Sequence, residues 1–481
     1  MKKHPLSFGL ALLSLGSFAG LEADFTSETG KVRPELHSSG FGPTVCSQTA
    51  QDLEDVKSMG FAFARTHDWA LVNANERVCD YFHIFPLMHL DATDPKNYVF
   101  GPTDCLLKRT REEAGLDVFF RLGTSIEHSG TKIHFNSLIP EDFDKVAETF
   151  AGTVRHYNRG WANGYKWNIR YWEIWNEPDG VNNMWCLPEG DGETQEVRAQ
   201  RDPKRRALFV KFFVTVLKRL KSEFGDEIKV GGPAMCSFKE SWFRPILEEC
   251  RRAGIAPDFI SWHGYVNDPK QFNRDAARGR KILDEYGFAN CEMIVDEWHY
   301  FGYDDYSWSD MQRCSDPQVK ARIWSGPRSH NGIHSACFAL ATLANLQRSQ
   351  LSQAYYYGCR HTGSWGFKDE LQAKYKVFSA LKLFGDLVKR YPTLCASTSE
   401  GAYTTFAAKS ADGAKKALLV VDYGGKARTL SVGVKGVTAV KACTALDYTR
   451  DLAAHPATLK DGQLTLEKTD DNSAAFLVEF E

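Results

Sequence analysis

The sequence predicts a chain of the α/β class: a (β/α)8 TIM barrel with a C-terminal antiparallel β-sandwich. Three observations predict it. From about residue 32 to 390, short strand-like runs alternate with helical patterns, which implies a parallel sheet. Two of those runs end in aromatic-rich segments, Trp172-Glu173-Ile174-Trp175-Asn176-Glu177-Pro178 and Val295-Asp296-Glu297-Trp298-His299-Tyr300. Glu297 lies 120 residues after Glu177, or about three βα units of roughly forty residues. Beyond residue 390 the helical patterns give way to period-two alternation between turn signals.

The 481 residues have room for a barrel and a second domain, and 43% hydrophobic with 25% charged residues is ordinary for a globular chain. A net charge of −2 provides no basic field for nucleic acid. No run of like charge suggests a polybasic membrane patch. Lys2 and Lys3 precede an apolar stretch from Leu6 to Ala19, too short to span a membrane, and this reads as a secretory signal. Small residues place cleavage after Ala19 or after Ala23, so residues 1–23 are set aside and an exported, periplasmic or extracellular protein is expected. Residues 24–390 are assigned to the barrel and 391–481 to the sandwich. The twelve cysteines form no C-x-x-C pair, which removes zinc ribbons and thioredoxin-like motifs and leaves disulfides and buried thiols both open.

The barrel strands are read in order. The first is vague, near residues 36–44. In the second, Phe61, Phe63, Arg65 and His67 share one face by alternation. Residues 118–123 form the third, and the fourth ends at Asn176. Residues 228–233 form the fifth. In the sixth, Phe259, Ser261 and His263 face together. In the seventh, Met293, Val295 and Glu297 are expected to face inward. Residues 354–358 form the eighth. Helices are expected over Glu141–Asn158, Lys204–Phe224 and Ser329–Gln347, the last with Ile333, Cys337, Leu340 and Leu343 at helical spacing. After residue 390, runs such as 417–423, 430–434 and 475–480 read as sandwich strands.

This register sets Glu177 after strand 4 and Glu297 after strand 7, at the barrel face that carries chemistry. Two carboxyl groups on different strand ends suit glycoside cleavage with retention, where one protonates the leaving oxygen and the other attacks the anomeric carbon. Asn176 and Glu177 are neighbours, so both reach a substrate only if the strand ends there in a bulge or turn. No H-E-x-x-H set, Walker loop or dinucleotide fingerprint is present, and no cofactor and no metal are expected.

The segments around both glutamates, with Arg65-Thr66-His67-Asp68-Trp69, residues 121–128 and residues 258–265, resemble clan A glycoside hydrolases, and most of all family 39. The resemblance covers most of residues 32–390. It implies a barrel with an accessory β-sandwich, a retaining mechanism, Glu297 as nucleophile and Glu177 as general acid and then base. It also implies that Arg65 binds the nucleophile and Asn176 the sugar 2-hydroxyl. Asp296 and His299 depart from the family 39 pattern, which has Thr and Asn at those places. Candidates for holding sugar hydroxyls or orienting the glutamates are His67, Asp68, Glu127, His128, His263 and Tyr265. Trp185, Trp298, Tyr300, Tyr356 and Trp365 are candidate pocket walls, because aromatic faces suit pyranose C–H faces. Glu173, deeper on its strand, suits a buried ion pair. The expected partner is a glycoside or oligosaccharide, without nucleic acid or membrane insertion. Exo-action on equatorial β-D or α-L glycosides is the first expectation. An endo-glycanase of the same clan and a non-catalytic carbohydrate-binding barrel are the alternatives.

Overall fold

The structure, a computed structural model, describes residues 20–40, 50–67, 69–70, 77–124, 138–180, 184–190, 192, 194–359, 365–369, 371–425 and 428–481. Eight parallel strands close into a barrel: Ser38–Gly40, Phe63–Arg65, Asp117–Leu122, Tyr171–Ile174, Lys229–Met235, Phe259–Val266, Glu292–Tyr300 and Gln353–Tyr357. They are strands 1 to 8 in chain order, and strand 8 pairs with strand 1. The closed barrel is the predicted fold.

Both faces of the barrel sheet are buried, which explains its nearly continuous apolar runs. Outward residues such as Phe120, Trp172, Ile260 and Val295 pack in the core shared with the helices. Inward, Phe63, Phe119, Tyr171, Phe259, Ile294 and Tyr355 fill the barrel as an apolar plug. Two residues further along four of those strands, the interior turns polar with Arg65, Glu173, Ser261 and Asp296, all buried. Gly231 on strand 5 makes room for the plug, since a Cβ there would stand 2.1 Å from the Phe259 carbonyl oxygen.

Strand 7 corrects the predicted parity. Met293 and Val295 point outward, not inward. The pairing with strand 6 shifts register between Val295 and Glu297, and this bulge turns both Asp296 and Glu297 toward Arg65. Phe61 likewise packs in the outer core rather than with Arg65.

The second domain also claims residues assigned to the barrel. Strand Glu22–Lys31 pairs antiparallel with Thr393–Ser397 and parallel with Thr429–Lys435, so the barrel is preceded by a sandwich strand. Strand Lys416–Asp422 shows how the sandwich sits. Leu418 and Val420 face its own core, while Ala417, Leu419 and Val421 join the barrel-side core. Helix Ile333–Leu346 contacts that strand and is buried along its whole length. Its apolar spacing therefore marks a helix covered on every side, with no solvent face. Helix Gln195–Phe224 starts nine residues before Lys204, because the Thr194 hydroxyl accepts the Val197 N–H and caps it there. Among the described residues eleven cysteines are free thiols, and no helix is long and apolar enough to cross a membrane.

Candidate active site

The site lies at the C-terminal ends of the strands, directly above the charged layer. Arg65 organises it from strand 2. Its Nε donates to Glu173 Oε2 at 2.7 Å, Nη1 to Glu297 Oε1 at 2.8 Å and Nη2 to Asn176 Oδ1 at 2.7 Å. Nη2 also lies 3.1 Å from Asp296 Oδ2. A planar guanidinium is the side chain that can serve so many acceptors in fixed directions. The surrounding carboxylates outweigh its burial and keep it firmly charged.

Strand 4 ends at Ile174, and the chain then enters the left-handed region at Trp175 (φ 75°) and again at Glu177 (φ 45°). These uncommon conformations break strand alternation, as the Asn176–Glu177 neighbourhood requires. Asn176 stays buried against Arg65, while the Glu177 carboxyl turns to His263.

His263, on strand 6, joins the two glutamates. Its Nδ1 is 2.9 Å from Glu177 Oε1 and 3.4 Å from Glu297 Oε2. The sum of those two distances holds the carboxylate oxygens within about 6.3 Å of each other. Its Nε2 is 3.2 Å from Asp296 Oδ2. Burial pushes the imidazole down, but Glu297 and Asp296 outweigh burial and raise it well above the ordinary histidine value. Burial likewise pushes Asp296 up, and Arg65 and His263 overcome it and hold the carboxylate below its ordinary range. Tyr265 donates its hydroxyl to Glu297 Oε2 at 2.6 Å, and burial raises its pKa so that the proton stays on oxygen. His67 Nε2 is 3.6 Å from the other Glu297 oxygen. Below them burial raises Glu173 to about 8, with Arg65 pulling it down and Asp296 pushing it up. Ser261 donates to its second oxygen at 2.6 Å.

The carboxyl groups differ in access. The Glu177 side chain is 16% exposed and Glu297 only 4%. Glu177 opens, with His263 and Tyr265, into a cleft of about 540 Å³.

Arg65, His67, Asn176, Glu177, His263, Tyr265 and Glu297 thus come together. Trp185 and Trp298 do not. Trp185 is fully buried among Phe143, Phe209 and Phe212, with its indole N–H on the Arg205 carbonyl. Trp298 follows the bulge, so alternation sends it outward between Phe272 and Phe338. Tyr356 also packs there, edge-on to Trp298, and reaches inward only with its hydroxyl, to His299 Nε2 at 2.6 Å. His299 Nδ1 in turn donates to the Tyr300 carbonyl, and burial lowers the imidazole to about 4, so it is neutral. Tyr300 is buried against Phe338. Trp365 stands between Tyr265, Tyr357 and His330. Asp68, Glu127 and His128 lie outside the described residues. The contacts missed from sequence are those of Asp296. Its position beside Glu297 was visible, but the bulge that turns it inward was not.

No family model matches the chain. A β-xylosidase of Geobacillus stearothermophilus is 27% identical over 130 residues, 27% of this chain and 22% of its own length. A β-xylosidase of Caldicellulosiruptor saccharolyticus is 26% identical over 222 residues, 44% of this chain and 38% of its own length. The chain therefore spans less than half the length of these curated relatives. Its fold matches nearly whole chains: a glucosidase from Croceicoccus marinus (TM-score 0.70, 17% identity, 95% of this chain and 98% of the other) and a family 51 α-L-arabinofuranosidase from Thermotoga petrophila (TM-score 0.62, 14% identity, 96% and 100%). In segments of its sequence, and across its fold, the chain resembles the clan A glycoside hydrolases.

Proposed function

We propose that the protein is a retaining, exo-acting glycoside hydrolase for equatorial β-D or α-L glycosides. The observation that carries this reading is the spacing of Glu177 and Glu297 about one histidine nitrogen. One oxygen of each carboxyl group faces that nitrogen within about 6.3 Å of the other, which favours the roughly 5–5.5 Å carboxyl spacing of retaining enzymes over the roughly 6.5–9.5 Å of inverting ones. The β-xylosidase relatives point the same way.

In this mechanism Glu297 attacks the anomeric carbon while the leaving oxygen takes a proton from Glu177. Arg65 and Tyr265 hold one nucleophile oxygen each, so the attacking carboxylate has a fixed position. The proton for the leaving group rests on His263 Nδ1, which Asp296 helps to keep charged, and passes through Glu177 to the leaving oxygen, so that His263 becomes neutral and Glu177 is left a carboxylate. The glycosyl–Glu297 ester then forms, and Glu177, now a carboxylate, removes a proton from the attacking water. That water displaces Glu297 and restores both carboxyl groups. Asn176, fixed by Arg65, is the group for the sugar 2-hydroxyl.

The test is a panel of 4-nitrophenyl glycosides: β-xyloside, β-galactoside, α-L-arabinoside and α-L-iduronide. Hydrolysis of at least one, with a first-formed product of the substrate's own anomeric configuration, is expected. Inversion would sink the double displacement, and inertness toward all would leave a carbohydrate-binding barrel.

Export is part of the proposal, with cleavage after Ala19. Leu21 and Ala23 are buried in the sandwich core, and Ala23 pairs with both Val434 and Ser397. Cleavage after Ala23 would remove them. N-terminal sequencing of the secreted protein should begin at Gly20, and a start at Met1 would refute export.

A further inference from the structure

We infer that the cleft beside Glu177 binds the leaving group, and that this group is a glycan of more than one sugar. The inference rests on the hydrolase reading for its direction and on the cleft for its ligand. Glu177, His263 and Tyr265 line the inner end, whereas Glu297 is not among its lining residues. The ligand there therefore lies on the acid's side of the bond, where the leaving oxygen sits.

One wall is an aromatic platform. Phe301 is fully buried, and its N–H is tied to the Val266 carbonyl at 3.0 Å. Trp308 stacks on it with centroids 4.2 Å apart, and Tyr303 packs on it at 4.5 Å. Both outer rings remain open, Tyr303 52% exposed and Trp308 39%. Exposed aromatic rings held by a buried one lose little freedom on binding, and their faces suit pyranose C–H faces. Trp308 also meets Tyr265 edge-on at 5.2 Å, so the platform continues to the catalytic carboxyl groups.

The lining also includes Phe238, with the Arg278 guanidinium 4.9 Å over its ring. Gln271, Asp275 and Ser237 add groups able to bond hydroxyls. Apolar faces combined with scattered polar groups describe a sugar chain better than a flat aromatic aglycone. The volume of about 540 Å³ lies in the range that binds drug-sized ligands and exceeds the needs of one ring.

The test compares the methyl glycoside with the di-, tri- and tetrasaccharide of the sugar whose 4-nitrophenyl glycoside is cleaved fastest. In the unaltered protein kcat/KM should rise about tenfold from methyl glycoside to trisaccharide, as stacking on two rings allows. Trp308→Ala and Tyr303→Ala should each cut that ratio to about threefold or less. General damage lowers both substrates together and leaves the ratio intact. Such an intact ratio in folded Tyr303→Ala, whose ring is the more exposed, would overturn the proposal. Calorimetric titration of xylotetraose and cellotetraose into Glu297→Gln, with and without Trp308→Ala, separates the two readings. Binding that depends on Trp308 in a protein inert to every glycoside would keep the glycan cleft and remove the hydrolase. Normal hydrolysis with tetraose binding that ignores Trp308 would do the reverse.

Discussion

Replacing Asp296 with asparagine keeps the side chain's size and removes the charge that His263 Nε2 meets at 3.2 Å. His263 is faced by Asp296 and Glu297 from strand 7, Glu177 after strand 4 and the Arg65 charge beyond Asp296. Of these, Asp296 is the anion on the Nε2 side. At that distance and an effective dielectric near 20, the pair is worth about 5 kcal/mol before desolvation is charged against it. Half of that still moves a proton equilibrium more than about fiftyfold, since 1.36 kcal/mol is tenfold. The sign follows from the raised value of His263: its contribution to stability is present below its ordinary 6.5 and lost as pH rises through the higher folded value. In Asp296→Asn that loss moves to lower pH. The alkaline limb of kcat/KM should move down with it, because the Glu177–His263 pair gives up its proton sooner. The assay is nitrogen NMR of histidine-labelled protein, with the His263 signals assigned by their loss in His263→Gln. Unaltered His263 should keep both N–H protons between about pH 5 and 8, and the variant should titrate within that window. Identical titration in the two proteins would refute the reasoning.

The other expectations concern roles and packing. Glu177→Ala should lose activity most on poor leaving groups, and azide should restore turnover with a glycosyl azide of the substrate's own configuration. Azide rescue of Glu297→Ala should give the opposite configuration by proton NMR, and the reverse pattern would exchange the two roles. Glu173 is raised from 4.5 to about 8, so its stabilising contribution fades as pH rises across that interval. Urea unfolding should therefore show Glu173→Gln gaining on the unaltered protein by a few kcal/mol, roughly, from pH 5 to pH 8; a constant difference would place the proton elsewhere. Trp185→Ala should destabilise the fold by about 3–5 kcal/mol while leaving KM unchanged, and a KM effect without destabilisation would return Trp185 to the pocket.

The barrel was legible because each strand had to be apolar on two faces and short, and because its chemistry sits at strand ends. The glutamates stood out for the same reason. Strand 7 was misread in parity: alternation carries no mark of a bulge, and one extra residue exchanges Val295 for Asp296 on the inward face. Trp185 and Trp298 show a second limit. A tryptophan beside a catalytic segment has the same composition whether it walls a pocket or fills the gap between strand and helix. The helix over residues 333–346 is buried by strands of the following domain, and the strand at 22–31 pairs with residues more than three hundred and fifty positions away, contacts that local pattern does not carry. His299 fills a structural place, donating to one carbonyl and accepting from Tyr356.

The central claim is that Glu297 becomes covalently bonded to the sugar. An activated 2-deoxy-2-fluoro glycoside of the preferred sugar slows the second displacement more than the leaving of a good leaving group, so the ester should accumulate. Mass spectrometry of the intact protein should show one added fluoroglycosyl group, and peptide mapping should place it on Glu297. Label on another carboxylate, or full hydrolytic activity with no adduct formed, would contradict the account.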